Sequence, residues 1–102
     1  MTFSVRPTRL FLKQLESISR GARQLIKKKI VLVSQNPYHF KSIRSRFCSK
    51  VFRVRLNIDG KECRMIYAVI EPNVIIVCIL ERKHGYADLE RFMEAAMKDG
   101  WN

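Results

Sequence analysis

The sequence predicts one α+β domain, with secondary structure in the order β-α-α-β-β-β-α. Helical spacing of apolar residues spans 8–34 and returns at 87–99, while strict alternation marks residues 51–58. The 102 residues, 47% of them apolar, suffice for one packed core. We therefore expect residues 1–102 to form a single domain. Its antiparallel sheet should carry an N-terminal αα-hairpin on one face and a C-terminal helix.

The first half of the chain predicts a strand and then the αα-hairpin. Residues 2–6 alternate in polarity, which is typical of a short strand. Thr8 is suited to cap the first helix, and the second should end near Ser34 because Pro37 follows. Residues 38–50 are basic and show no clear period, so we expect a loop there.

The second half predicts three strands and a final helix. The alternating strand at 51–58 is followed by Asp59-Gly60, a strong signal for a two-residue hairpin turn. The next strand should end in a three-residue turn at 71–73, and a third strand should span 74–82. Residues 87–99 have the apolar spacing of an amphipathic helix.

These turns predict a cluster of arginines on one face of the sheet. A two-residue turn places Arg55 opposite Arg64, and a three-residue turn places Arg64 opposite Leu80 with Arg82 as a diagonal neighbour. Arg53 should share this face. Opposed like charges are unfavourable, and no compensating carboxylate is expected on the face. The cluster therefore suggests a phosphate-binding floor, unless the cations splay into water or a register slip separates them.

The opposite face should be the core that packs on the αα-hairpin, and we expect Tyr67 to serve there in packing. It comprises Phe52, Val54, Leu56, Met65, Tyr67, Val77 and Ile79. Cys48, Cys63 and Cys78 are an odd number without a C-x-x-C pair, so we expect reduced thiols. With only two histidines besides, neither a metal site nor a cofactor is expected.

Charge is the strongest compositional signal. The net charge is +11, and residues 1–58 hold fourteen Lys and Arg against one acidic residue, while residues 59–102 hold six against eight. Such a field attracts polyanions, of which nucleic acid is the favoured class, although solubility or an acidic partner also explains part of it. A membrane-surface role is weaker, and no signal peptide or transmembrane run is visible, so we expect a cytoplasmic protein.

Residues 77–86, "VCILERKHGY", end an apolar strand in a charged segment. The third strand should deliver Arg82 to the basic end of the sheet, and the following turn should bring His84 and Tyr86 near it. Surrounding cations favour phenolate, so Tyr86 could act as a general base without histidine or metal. Alternatively, Tyr86 anchors the final helix, and His84 is favoured as an ordinary loop residue.

The layout resembles the RelE/ParE superfamily of toxin components from toxin–antitoxin pairs, over nearly the whole chain. The resemblance is carried by "NP" after the second helix, "FRVRL", "CRMIY" and "ERKHGY", with R-x-x-Y at 64–67 and R-x-x-x-Y at 82–86 as the most specific parts. The RelE branch cleaves messenger RNA in the ribosomal A site without a metal. The ParE branch instead inhibits DNA gyrase.

The resemblance to the RelE branch implies roles for individual residues. Arg64 and Arg82 match the arginines that hold the scissile phosphate, and Arg82 also suits protonation of the leaving oxygen. Tyr86 matches the tyrosine that activates the ribose 2′-hydroxyl, which attacks its own phosphate to give a 2′,3′-cyclic product. Further RNA or phosphate contacts are expected from nearby basic residues: Lys50, Arg53, Arg55, Lys83 and His84.

Three features depart from the family pattern. Gly60 stands four residues before Arg64, "IRS" at 43–45 replaces a leucine-x-glycine, and arginines at 53 and 55 replace lysines. Two alternatives are a ParE-like gyrase inhibitor, from the other branch of the superfamily, and a non-catalytic nucleic-acid-binding module, which the basic half of the chain suggests. A toxin would need a cognate antitoxin with an acidic or amphipathic segment, besides the ribosome and messenger RNA.

Overall fold

The computed structural model describes residues 3–100, and of residues 84–86 it describes the backbone but not the side chains. The α+β class and the predicted order of elements are confirmed, with one additional strand inside the predicted loop at 38–50. The elements are β1 (Ser4–Pro7), α1 (Arg9–Leu15), α2 (Arg20–Gln35), β2 (Lys41–Ile43), β3 (Val51–Ile58), β4 (Lys61–Ile70), β5 (Asn73–Glu81), a 3₁₀ turn (Arg82–His84) and α3 (Gly85–Lys98).

Within residues 3–100, the strands form one sheet in the order β1-β5-β4-β3-β2. The sheet is mixed, because β1 pairs in parallel with β5, with Ser4 opposite Asn73. The expected antiparallel pairing holds from β2 to β5, and the parallel pairing of β1 is the one departure from it within the described residues. Sequential strands joined by tight turns must run antiparallel, but no hairpin joins β1 to β5, so nothing imposes that direction on this pair.

Beyond the end of β1, side chains of α1 and of its N-cap form hydrogen bonds with the backbone edge of β5. Beyond Pro7 the hydroxyl of Thr8, the predicted N-cap, donates to the carbonyl of Val77 at 2.6 Å. Six residues further along the chain, the side-chain amide of Gln14 donates to the carbonyl of Ile79 at 2.8 Å and accepts from its N–H at 2.7 Å. These side chains replace the missing strand, because an unpaired backbone group at a covered edge is costly.

The first β-hairpin has the predicted register. Asp59 and Gly60 adopt positive φ angles of 51° and 84°, as a type I′ turn requires. Arg55 consequently lies directly opposite Arg64, as predicted.

The second β-hairpin differs from the prediction. Ile70 pairs with Asn73 across a two-residue turn, not a three-residue turn. One extra residue in β5, Val77, then shifts the register, so that Arg64 still lies opposite Leu80. The predicted pairing is thus correct at the arginine end, although the turn that was expected to produce it is wrong.

The sheet is covered on both faces. On the α1/α2 face, one apolar cluster packs the sheet against α1 and α2: Phe11, Ala22, Ile26, Val33, Phe52, Val54, Leu56, Ile58, Cys63, Met65, Tyr67, Val69, Val74, Ile76 and Ile79. On the α3 face, a second cluster packs the sheet against α3: Val51, Ile66, Ala68, Ile75, Val77, Cys78, Leu80, Leu89, Met93 and Ala96. Val77 therefore lies on the α3 face and not, as expected, on the α1/α2 face, because the extra residue reverses its orientation.

Tyr67 packs in the core, as predicted. It is fully buried, and its hydroxyl donates to the carbonyl of Pro37. Cys63 and Cys78 are buried free thiols, and Cys48 is half-buried. Over the described part of the chain, none of the helices combines the length and apolar character needed to cross a membrane.

Candidate phosphate-binding site

Three arginines converge at one end of the α3 face. Arg55 on β3 is directly opposite Arg64 on β4, and Arg82 follows β5 two residues after Leu80, the partner of Arg64. All three line one cleft of about 240 Å³. Arg55 and Arg82 are exposed and Arg64 is half-buried, so the cleft offers guanidinium groups to solvent.

A carboxylate lies within this cluster, and the expectation that none would was wrong. Nη1 of Arg82 donates to Oε2 of Glu62 at 2.8 Å. This bond, followed by the charges of Arg82, Arg55 and Arg64, holds the pKa of Glu62 below its usual range. We therefore define the arginine cluster as Arg55, Arg64 and Arg82, with Glu62 as the anion that they surround.

The sequence did contain a signal for Glu62. In the register that pairs Arg64 with Leu80, positions 62 and 82 are the next pair on the same face. Extending the pairing by one step thus predicts a cross-strand ion pair between Glu62 and Arg82.

Arg53 shares the face of the cluster but has a different environment. It lies between Lys41 of β2 and Ile66 of β4, and it is buried, with 7% of its surface exposed. Its charge therefore contributes to the field of the site from beneath the surface, where screening by solvent is weak.

Lys50 and Lys83 do not join the arginine cluster. The Nζ of Lys50 lies 5.6 Å from the ring centroid of Tyr38, beyond the other end of β3. The Nζ of Lys83 lies 3.4 Å from Oε2 of Glu81, whose Oε1 is 3.4 Å from the Nζ of Lys61. Lys50 thus lies away from the cleft, whereas Lys83, beside Arg82 in the chain, lines a neighbouring cleft together with Glu62 and Arg82.

The predicted roles of Tyr86 and His84 fall on side chains outside those that the structure describes. The backbone of residue 86 belongs to the first turn of α3, and that of residue 84 ends the 3₁₀ turn that begins at Arg82. Among the described side chains, no group of three His, Cys, Asp or Glu is placed to hold a metal ion.

The fold is that of a known toxin. A double arginine-to-alanine mutant of Escherichia coli toxin RelE in the free state superposes with a TM-score of 0.69 at 20% identity, covering 96% of this chain and 97% of that one. The isolated E. coli RelE toxin gives 0.64 at 20% identity, over 85% of this chain and 94% of that one.

The intact E. coli RelBE toxin–antitoxin complex also contains a matching chain, with a TM-score of 0.64 at 20% identity over 76% of this chain and 94% of that one. No protein-family model and no curated protein sequence matches this chain. The described residues thus have the RelE fold, at an identity too low to carry function with it.

Proposed function

We propose that this protein is the toxin of a type II toxin–antitoxin pair, and that it is a metal-independent endoribonuclease that cleaves ribosome-bound messenger RNA. The observation that carries the proposal is the arginine cluster: Arg55, Arg64 and Arg82 meet around one anion in a chain with the RelE fold. Such a site suits a phosphodiester, because catalysis at phosphorus depends mainly on positioning and charge.

The arginines would bind the scissile phosphate. Guanidinium groups present forked donors that match two oxygens of a carboxylate or a phosphate, and Arg82 already donates one hydrogen bond to a carboxylate oxygen of Glu62. In the reaction, Arg64 and Arg82 hold the non-bridging oxygens and stabilise the negative charge that develops on them. Arg55 adds positive charge from the opposite strand.

The chemistry is an internal displacement. The ribose 2′-oxygen bonds to the adjacent phosphorus while the bond from phosphorus to the 5′-oxygen breaks, which leaves a 2′,3′-cyclic phosphate and a free 5′-hydroxyl. Tyr86 accepts the proton of the 2′-hydroxyl, and Arg82 supplies a proton to the leaving 5′-oxygen. The guanidinium of Arg82 is protonated at physiological pH in any case, and the hydrogen bond to Glu62 raises its pKa further.

An antitoxin is the partner proposed for this toxin. The RelE chain that this fold matches occurs in a toxin–antitoxin complex. Residues 1–58 of the present chain carry fourteen cationic side chains and one acidic one, which favours an acidic or amphipathic antitoxin segment. The segment would cover the arginine cluster or displace α3, and the protein would act in the cytoplasm, where ribosomes and messages are found.

The experiment is primer extension across a translated message in cells that express the protein. Arg82→Ala and Tyr86→Phe should each reduce cleavage at least about 100-fold, as removal of a transition-state contact does. Arg23→Ala on α2, which is exposed and distant in the fold, is the matched control and should cleave as the wild type does. Circular dichroism should show that all variants are folded.

A ParE-like gyrase inhibitor is the second candidate, favoured by one observation. Arg82 already forms an ion pair with Glu62. A cation that takes no part in catalysis can stay in such a pair, because it never has to release its partner. In that case, cells would stall DNA replication with intact transcripts, and Arg82→Ala and Tyr86→Phe would remain toxic. That outcome contradicts the nuclease proposal. Polyanion binding without growth arrest would instead indicate a nucleic-acid-binding module.

A further inference from the structure

Glu62 binds the same arginine that is proposed to bind the substrate phosphate. It accepts a 2.8 Å hydrogen bond from Arg82, and both side chains are open to solvent, with 68% and 60% of their surfaces exposed. The same guanidinium is the group proposed to hold the scissile phosphate. A phosphate that enters the cleft must therefore displace Glu62 from Arg82 or share the donors with it.

Glu62 also has no alternative opposite charge directly across β3. Its partner on that strand is the neutral Asn57. The other acid at this end of the sheet, Glu81, pairs with Cys63, whose side chain lies in the core of the α1/α2 face, and Glu81 interacts with Lys61 and Lys83. Glu62 is thus the carboxylate that opposes an incoming anion on the arginine side.

We propose that Glu62 is a specificity-determining residue, which competes with phosphate for Arg82 and biases the arginine cluster toward singly charged internal phosphodiesters over doubly charged terminal phosphates. This inference rests on the proposed function. An internal phosphodiester carries one negative charge, whereas a terminal phosphate carries between one and a half and two near neutral pH. A fixed carboxylate beside the site repels the second kind more strongly.

The effect should be moderate, because the ion pair is exposed. Exposed pairs contribute little, so their release changes affinity by no more than about fivefold. Glu62→Gln keeps the size and hydrogen-bonding capacity of the side chain but removes its charge. We expect this variant to bind an internal phosphodiester about twofold more tightly, and a terminal phosphate up to about fivefold more tightly.

The test measures binding of two non-cleavable probes by fluorescence anisotropy at fixed salt. One is a labelled 2′-O-methyl trinucleotide without terminal phosphates, and the other is the same trinucleotide with a 5′-phosphate. Glu94→Gln is the matched control, because Glu94 forms an exposed pair with Lys98 on α3 and its loss changes the net charge by the same amount. Glu62→Ala provides a second variant if the glutamine substitutes for the carboxylate as an acceptor.

The outcomes separate this inference from the proposed function. Tighter binding in Glu62→Gln or Glu62→Ala, with the larger gain for the 5′-phosphate probe and no gain in Glu94→Gln, supports the inference. If the Glu62 variants bind as the wild type does, or gain equally for both probes, while Arg82→Ala loses binding, the inference is overturned and the nuclease proposal is left intact. If Arg82→Ala binds both probes as the wild type does, the arginine cluster is not the phosphate site and both proposals fail.

Discussion

The two faces of the sheet are built from the same strands but differ in the side chains that they carry. On the α1/α2 face, alternate residues of β3 are apolar up to its last residue, Ile58. On the α3 face, β3 contributes the apolar Val51, and its following positions on this face are Arg53 and Arg55. Strand β3 is thus apolar along its whole length on one face, while on the other face it carries two successive cations. Such a local departure from packing rules is typical of binding sites.

The largest expected effect comes from breaking the continuous apolar face. Met65 on β4 is fully buried between Val54 and Ile79 of the neighbouring strands. Met65→Ala removes packed atoms and leaves a cavity, so we expect the free energy of unfolding to fall by about 2–5 kcal/mol. Urea denaturation measures this change. A loss comparable to that of a surface substitution would mean that the α1/α2 face is not the main source of stability.

The opposite result is expected on the α3 face. Arg55→Gln removes one of two directly opposed cations, so the protein should keep its stability or gain up to about 1 kcal/mol, measured by the same urea titration. The same variant should bind single-stranded RNA more weakly, with the slope of log affinity against log salt reduced by about 0.7. Arg23→Gln on α2, which loses the same charge outside the cleft, is the control. Destabilisation by Arg55→Gln would contradict this comparison, because it would show that the opposed arginines of the α3 face stabilise the fold.

Local signals allowed the arginine cluster to be predicted, because a type I′ turn depends on its own two residues. Asp59 and Gly60 fix the register of β3 and β4, and with it the pairing of Arg55 and Arg64. The position of Arg82 was obtained for a wrong reason, since the shorter turn after β4 is compensated by the extra residue at Val77. An irregularity inside an apolar strand has no signature in its composition.

The remaining differences concern long-range pairing. Nothing in residues 4–7 indicates a parallel partner at 73–76, because that contact is made between distant parts of the chain. Burial of Arg53 was equally invisible, since strand alternation assigns a side chain to a face and does not indicate what covers it. Lys50 directly precedes the strand that carries Arg53 and Arg55, but its side chain lies over Tyr38.

The smallest expected effect concerns the connection between the two regions. Asp59, in the turn of the hairpin that carries Arg55 and Arg64, accepts hydrogen bonds from the side chain and backbone of Ser19, the N-cap of α2. The hydroxyl bond, and then the backbone bond, lower the pKa of Asp59 from its usual value. A carboxyl whose pKa is lower in the folded state stabilises the fold above its unfolded pKa, about 3.9, and this contribution is lost as the pH falls through the folded value.

Asp59→Asn removes this titration and retains a residue that tolerates the positive φ of the turn. The difference in free energy of unfolding between the wild type and Asp59→Asn should therefore be constant from pH 7 to about pH 5 and shrink below about pH 4. Urea titrations across this range measure it, and Ser19→Ala should reduce the same pH dependence, because it removes the donor that lowers the pKa. A difference that stays constant down to pH 2 would show that the charge of Asp59 does not stabilise the contact between the β3–β4 turn and α2.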